Sequence, residues 1–476
     1  MGEHSRREFL KVSGLAASTL IAKGKLSAAS PTEDSDQSRG QISVWVTDDA
    51  RQLARTPELS WQLGSGSAAR DAVVLDPAKK FQKILGFGAA FTDAACFTFK
   101  RLEAARRQQL FHQLFHPSEM GLNVCRTCIG SSDYSTKVYC YDEGAPDPDL
   151  ERFSIDHDRE YILPVLREAR QANPDLFLFS SPWSPPGWMK SNGSMLGGNM
   201  QRRSMRPYAE YFVKFLQGYR GEGVPIQAVT VQNEVDTDQD GRMPACTWPE
   251  EYEADFVRGD LGPAFQRNGI KSQIWIIDHN YNLWGRAIAE LETPDVRQFT
   301  NGVAWHGYVG KLEWIDRVHD AFPDLEMYWT EGGPNYTDPN YSKDWVNWSA
   351  TFSGILRHWC RSITAWNFAL DEKGQPNIGP FSCGGLVTID SQSRAVSYSG
   401  QYHAFAHYSR FIRRGGRRFD SQSQAADFSH VAIENPDGQS VLVLTNPGEA
   451  RNCQIRLGDQ ATYASLPANS VSTLLW

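Results

Sequence analysis

The 476-residue chain is poor in cysteine, has no surplus of basic charge and contains no interior apolar run of membrane-spanning length. Each shortage excludes something. Eight cysteines, Cys96, Cys125, Cys128, Cys140, Cys246, Cys360, Cys383 and Cys453, are too sparse over this length for a disulfide-stapled scaffold. Cys125 and Cys128 form one CxxC, but on a predicted strand residues i and i+3 point to opposite faces. No second CxxC and no run of histidines accompanies them, so no metal site is expected. A formal net charge of -8 argues against a nucleic-acid or anionic-membrane partner, which would require a basic face. Stable membrane insertion is likewise not expected once the N-terminal segment is removed.

Aromatic residues, by contrast, are plentiful, with 15 Trp and 17 Tyr. Their faces pack on the C–H faces of sugars, although the same residues also build cores. At the N-terminus, Ser5-Arg6-Arg7-Glu8-Phe9-Leu10-Lys11 places paired arginines before an apolar stretch, and Ser27-Ala28-Ala29 supplies small residues for cleavage. The pattern resembles a twin-arginine export signal. It predicts a signal over 1–29, a polar linker over 30–40 and a periplasmic or secreted bacterial protein.

Beyond the linker, short apolar runs alternate with longer amphipathic ones. Strands are predicted at 84–88, 122–126, 176–181, 228–232, 273–278, 302–306, 326–330 and 363–367. Helices are predicted among them at 103–115, 159–171, 207–219, 249–268, 312–321 and 345–360. Eight strands alternating with crossover helices predict an α/β fold of the (β/α)8 TIM-barrel type over 81–407. Both flanks read as short alternating strands. Segments 41–80 and 408–476 are expected to pair in one side β-sandwich, with Pro436-Asp437-Gly438 as a turn between two of its strands.

In such a barrel the reactive groups gather at the C-terminal ends of the strands. The stretch VTVQNEVD (229–236) runs β-branched and apolar and then delivers Asn233 and Glu234. Glutamate is a poor strand residue that is seldom buried without a partner. The other ends read Arg126, Trp183 beyond Ser181-Pro182, Asp278-His279-Asn280, His306-Gly307-Tyr308, Thr330-Glu331 and Trp366-Asn367. Two glutamates converging among Trp and Tyr suit glycoside hydrolysis, in which one carboxyl donates a proton and the other attacks carbon or activates water. Spacing along the chain leaves retention and inversion equally open.

GFGAAFTDAA (86–95), RTCIGSSDYS (126–135), SPWSPPGWMKSNGSM (181–195), VTVQNE, FVRGDLGP (256–263), WHGY, WTEG and AWNFALDEKGQPN (365–377) resemble family 30 glycoside hydrolases, in the glucosylceramidase-like branch that includes acid β-glucosidase. The resemblance implies a retaining mechanism without cofactor, with Glu234 as acid/base and Glu331 as nucleophile. For that work Glu234 would need a raised pKa and Glu331 donors that keep it anionic, with Arg126 beneath it. It further implies sugar contacts from Asp133, Trp183, Asn233, Asn280, His306, Tyr308 and Trp366. Trp183 and Trp366 have a rival reading as core of the barrel mouth, His306 as a scaffold residue, and Asp93 as a helix cap. Departures fall on the aglycone side, where Val235 and an acidic loop (236–240) follow Glu234, and Gly332-Gly333-Pro334 follow Glu331. The implied substrate is a carbohydrate or glycolipid with a terminal β-glucosyl unit. The alternatives are β-1,6-glucanase or β-xylosidase activity, or a catalytically silent carbohydrate-binding barrel.

Overall fold

The structure, a computed structural model, describes residues 40–64, 67–425 and 427–476. The expected export signal and all of the expected linker except Gly40 lie outside the described residues. Eight parallel strands close into a barrel: β1 (Gly86–Phe91), β2 (Val124–Cys128), β3 (Phe177–Ser181), β4 (Ala228–Thr230), β5 (Gln273–Asn280), β6 (Thr300–His306), β7 (Glu326–Glu331) and β8 (Cys360–Ala365). Closure is made by β8 on β1, where Ser362 faces Gly86 and Ala365 faces Ala89. Gly88 is a residue of necessity there, since a Cβ on it would stand 1.9 Å from the Val124 carbonyl oxygen. Cys125 and Cys128 are both buried on β2 and unpaired, and burial raises both thiols.

The predicted helices form with local departures. The run expected over 249–268 breaks into Glu250–Phe256, a π turn at Val257–Leu261 and Gly262–Arg267. Pro263 has no N–H to give the carbonyl four residues back, so the ladder widens before it. The helix expected to reach 360 ends at Arg357, because Trp359 turns left-handed (φ 72°) and releases the chain into β8. Strand β8 in turn ends two residues before Asn367, which also turns left-handed (φ 51°).

The flanking segments share one ten-stranded sheet. Gln41–Asp48 lies antiparallel to Ser470–Leu475, with Ser43 opposite Leu475 and Thr47 opposite Val471, so the two ends of the described chain are neighbours. Every second residue of the first strand, Ile42, Val44 and Val46, enters a core with Leu442, Leu444, Ile455 and Leu474. The expected boundaries at 80 and 407 fall inside elements: strand Val73–Lys83 crosses the first, and helix Gly400–Ser409 crosses the second.

Candidate active site

Inside the barrel the side chains form layers. Val124, Phe179, Ala228, Trp275, Ala304 and Tyr328 make an apolar plug. Two residues further along the same strands, and therefore on the same face, stand Arg126, Ser181, Thr230, His306 and Thr330, all 0 % exposed. The plug excludes water from below. The polar layer above it must satisfy its hydrogen bonds internally.

Two β-bulges set this layer. Strand β6 pairs Ala304 with Ile277 and Trp305 with His279, leaving Asp278 without a partner. Ile277 (φ 74°) and Asp278 (φ 45°) carry the left-handed backbone of that bulge, which sends Ile277 to the helix-side core and turns Asp278 inward. Strand β7 skips Thr330 in the same way, since Trp305 faces Trp329 and His306 faces Glu331. Alternation from Tyr328 would put Thr330 inside and Glu331 against the helices; the extra residue lets Glu331 face the mouth.

Arg126 is the hub. Its Nε donates to Ser181 Oγ at 3.0 Å, and Nη2 donates to Asn233 Oδ1 and Asp278 Oδ2, both at 2.7 Å. Nη1 donates to Glu331 Oε2, and Tyr308 OH donates to the other oxygen at 3.0 Å. Asp278 also accepts from Ser181 Oγ (2.8 Å), from Thr230 and Thr330 Oγ1 (2.7 Å each), and lies 3.1 Å from His306 Nε2. Burial opposes a charge on Asp278, but Arg126 and His306 outweigh it and hold the carboxyl far below the usual range. Arg126 was expected at a strand end; it sits mid-strand, fully buried beneath the mouth.

Glu234 leaves β4 in a left-handed conformation (φ 56°), fixed by its N–H donating to the Asp278 carbonyl at 3.0 Å. Its Oε2 accepts from Gln239 Nε2 at 2.6 Å, while Oε1 faces His306 Nδ1 at 3.4 Å and His279 Nδ1 at 3.5 Å. The expectation of a raised pKa meets the opposite direction here. Burial pushes Glu234 up, but the bond to His306, the two imidazoles and Gln239 draw it below the usual range. Burial alone would make His306 less basic; the charge of Glu331 and the bonds to Asp278 and Glu234 raise it to about 9.

A cavity of about 480 Å³ opens above this network, lined by Glu234 and Glu331 together with Asp133, Trp183, Asn233, Asn280, Tyr308 and Trp366. Of the ten residues singled out from sequence, Arg126 and His306 do not line it and lie under its floor. Trp183 and Trp366 stack with ring centroids 5.0 Å apart, and the Arg126 guanidinium lies 4.6 Å from the Trp183 ring. Asp133 Oδ1 is buried without a hydrogen-bond partner. Burial, then the charges of Glu331 and Glu234, push its carboxyl well above the usual range. Asn280 Oδ1 accepts the N–H groups of Tyr308 and Val309 at 2.9 and 3.0 Å, so it also shapes the β6 loop. Asp93 neither caps nor lines: Thr92 caps the helix, and Asp93 accepts from Tyr161 OH and the Thr136 N–H. Sequence reasoning passed over Asp278, His279 and Gln239. The first two were visible as a polar strand end beside Asn280, whereas nothing local marks Gln239.

Comparison with known proteins agrees with the barrel and the flanking sandwich. The model of the glycosyl hydrolase family 30 TIM-barrel domain matches residues 84–412, and that of the family 30 beta sandwich domain matches 415–474. An endo-1,6-beta-D-glucanase from Neurospora crassa is 32% identical over 80% of this chain and 82% of its own. The lysosomal acid glucosylceramidase of Mus musculus is 28% identical over 85% and 83%. Among solved structures, SrfJ from Salmonella typhimurium superposes with a TM-score of 0.88 at 27% identity, covering 92% of this chain and 99% of that one. The endo-beta1,6-glucanase BT3312 superposes with a TM-score of 0.82 at 27% identity, covering 91% and 99%. Matched over barrel and sandwich alike, the chain is a glycoside hydrolase belonging to family 30.

Proposed function

We propose that the protein is a retaining β-glucoside hydrolase in which Glu331 attacks the anomeric carbon and Glu234 serves as acid and then base, and that its substrate is a β-1,6-linked glucan. The observation that carries the reading is the contrast between two carboxylates on one cavity. Glu331 receives Arg126 on one oxygen and Tyr308 on the other, which suits an anion that must form a bond to carbon. Glu234 instead faces two imidazoles, with His306 Nδ1 3.4 Å and His279 Nδ1 3.5 Å from its Oε1, a setting suited to a carboxyl that exchanges protons. In the first step the C1–O bond to the leaving group breaks, Glu331 bonds C1 and Glu234 gives its own proton to the departing oxygen. In the second, Glu234 takes a proton from water as the oxygen of that water displaces Glu331.

Asp133, with one carboxyl oxygen unpartnered in the cavity wall, is placed to hydrogen-bond a sugar hydroxyl, and the Trp183–Trp366 pair offers an aromatic wall. The endo-1,6-β-D-glucanases among the relatives support the linkage, as does the polar loop of Asp236, Thr237 and Gln239 on the rim. A second reading, a glucosylated lipid, draws on the mouse relative and on Tyr308, Val309 and Phe381, which line the same cavity and are 45, 54 and 42% exposed. The twin-arginine pattern at Arg6-Arg7 supports action after export.

The test is digestion of gentiobiose, laminaribiose, cellobiose, xylobiose and glucosylceramide, with the anomer of the released sugar followed by NMR. Gentiobiose cleaved fastest with β-anomer first is the expected result. The α-anomer first would overturn retention, and preference for glucosylceramide would replace the glucan with the lipid. Glu331→Gly with azide and an activated aryl β-glucoside should yield the α-glycosyl azide; a β-azide would remove Glu331 from its role.

A further inference from the structure

The sequence shows no run of histidines, yet folding brings two of them to one carboxylate oxygen. His306 Nδ1 stands 3.4 Å and His279 Nδ1 3.5 Å from Glu234 Oε1, and the three atoms all lie within 4.8 Å of one another. Ligands about 2.0–2.1 Å from a single zinc-type ion at tetrahedral angles stand roughly 3.3 Å apart, so both measured spacings are nearly those of a coordination triad. We propose that Glu234, His279 and His306 bind one divalent first-row transition ion, zinc being the type case, and that the bound ion switches the hydrolase off.

Three further observations support the site. Each imidazole is held at its far nitrogen by a carboxylate, His306 Nε2 by Asp278 at 3.1 Å and His279 Nε2 by Asp236 at 2.6 Å. That is the arrangement by which metal-binding histidines are oriented and made better donors, and His306, charged in the metal-free site, would give up its Nδ1 proton to solvent as the ion binds. His279 Nδ1 also lies 3.3 Å from Asn280 Nδ2, a donor, so Nδ1 is the acceptor nitrogen and the proton sits on the nitrogen facing Asp236; an ion would take over the lone pair that Asn280 now engages. Glu234 and His279 line the cavity, so the remaining coordination position is open to water or substrate. Two imidazoles and one carboxylate favour zinc, copper, nickel or iron over magnesium and calcium.

Inhibition follows from geometry if Glu234 is the acid/base, and this half of the proposal rests on that reading: an oxygen engaged by a metal cannot pass a proton to the leaving group. A competing site among the described residues is the surface pair His112 and His116, whose rings stack at 4.4 Å.

The experiment is calorimetric titration of the untagged full chain with Zn2+, in parallel with Co2+ absorption and hydrolysis of an aryl β-glucoside. One equivalent should bind, Co2+ should give the intense visible bands of a low-coordinate site, hydrolysis should stop at that equivalent, and EDTA should restore it. His279→Ala should weaken binding by about 100-fold or more, and Asp236→Asn by about 10–100-fold, the range for removing a partner that orients a ligand. Thermal melts without metal check that both variants fold. His116→Ala should bind zinc as the wild type does. Zinc binding unchanged by His279→Ala and Asp236→Asn, or lost in His116→Ala, would overturn the site. Binding that requires His279 but leaves hydrolysis untouched would keep the metal site, overturn the switch and count against Glu234 as acid.

Discussion

At the barrel mouth, Arg126, Asp278, His306 and Glu331 share one network and each is at most 6 % exposed. At the seam between barrel and sandwich, His407 is equally buried, with Nδ1 2.9 Å from Thr473 Oγ1 and Nε2 2.8 Å from Thr47 Oγ1. Beside it Ser349 Oγ meets Thr445 Oγ1 at 2.7 Å and Tyr408 OH at 3.0 Å. The two places treat the same side chain in opposite ways. His306, facing Glu331 and Asp278, is raised to about 9, whereas burial drives His407 down to about 3 and His403 to about 4. Burial acts against charge in both. Only the mouth supplies opposite charges close enough to overcome it, and the seam, offering hydroxyls, keeps its histidines neutral.

The strongest way to break the comparison is to neutralise the mouth at the reacting carboxylate. Glu331→Gln should lower kcat by about four orders of magnitude or more, yet leave the fold intact because Arg126 keeps Asp278 as its partner. A thermal melt displaced as severely as the activity would show that Glu331 serves structure. Glu234→Ala should cost roughly 10²–10⁴-fold on substrates with poor leaving groups and far less on activated aryl glycosides. Equal losses on both would remove Glu234 from the acid role.

Arg126→Met tests the mouth for stability. It strands Asp278 and Glu331 without their counter-charge and should cost about 3–5 kcal/mol in denaturant unfolding, with activity lost. A change below about 1 kcal/mol would mean the network relaxes more freely than its burial implies. The seam should answer to acid instead. His407 binds its proton more readily unfolded than folded, so stability is full above about pH 6.5 and falls by about 1.4 kcal/mol per pH unit as pH drops toward 3. His407→Gln should flatten the urea midpoint between pH 6.5 and 4.5 relative to wild type. An unchanged slope would place the acid sensitivity elsewhere.

Much of this was legible along the chain. Strand-helix alternation located the eight barrel strands to within a few residues, because buried parallel strands are short apolar runs between amphipathic helices. The run into Asn233-Glu234 stood out since a buried strand rarely ends on an acid. The helix Gly400–Ser409 left no such trace: all ten of its residues are buried, so it carries no amphipathic stripe. Arg126 was found but placed a layer too high, and Asp278 was seen at a strand end and passed over.

Sequence alone determined the barrel, the paired flanking strands, the two glutamates and the aromatic wall, because periodicity, turn chemistry and rare residues at strand ends are local properties. Tertiary structure alone decided which way each side chain faces at the mouth. The bulges at Asp278 and Thr330 exist only as mismatches between neighbouring strands, and they turn Asp278 and Glu331 onto Arg126. The same closure brings His279 and His306 from separate strands to one oxygen of Glu234. Register between strands is a property of the closed sheet, and no window of the chain contains it.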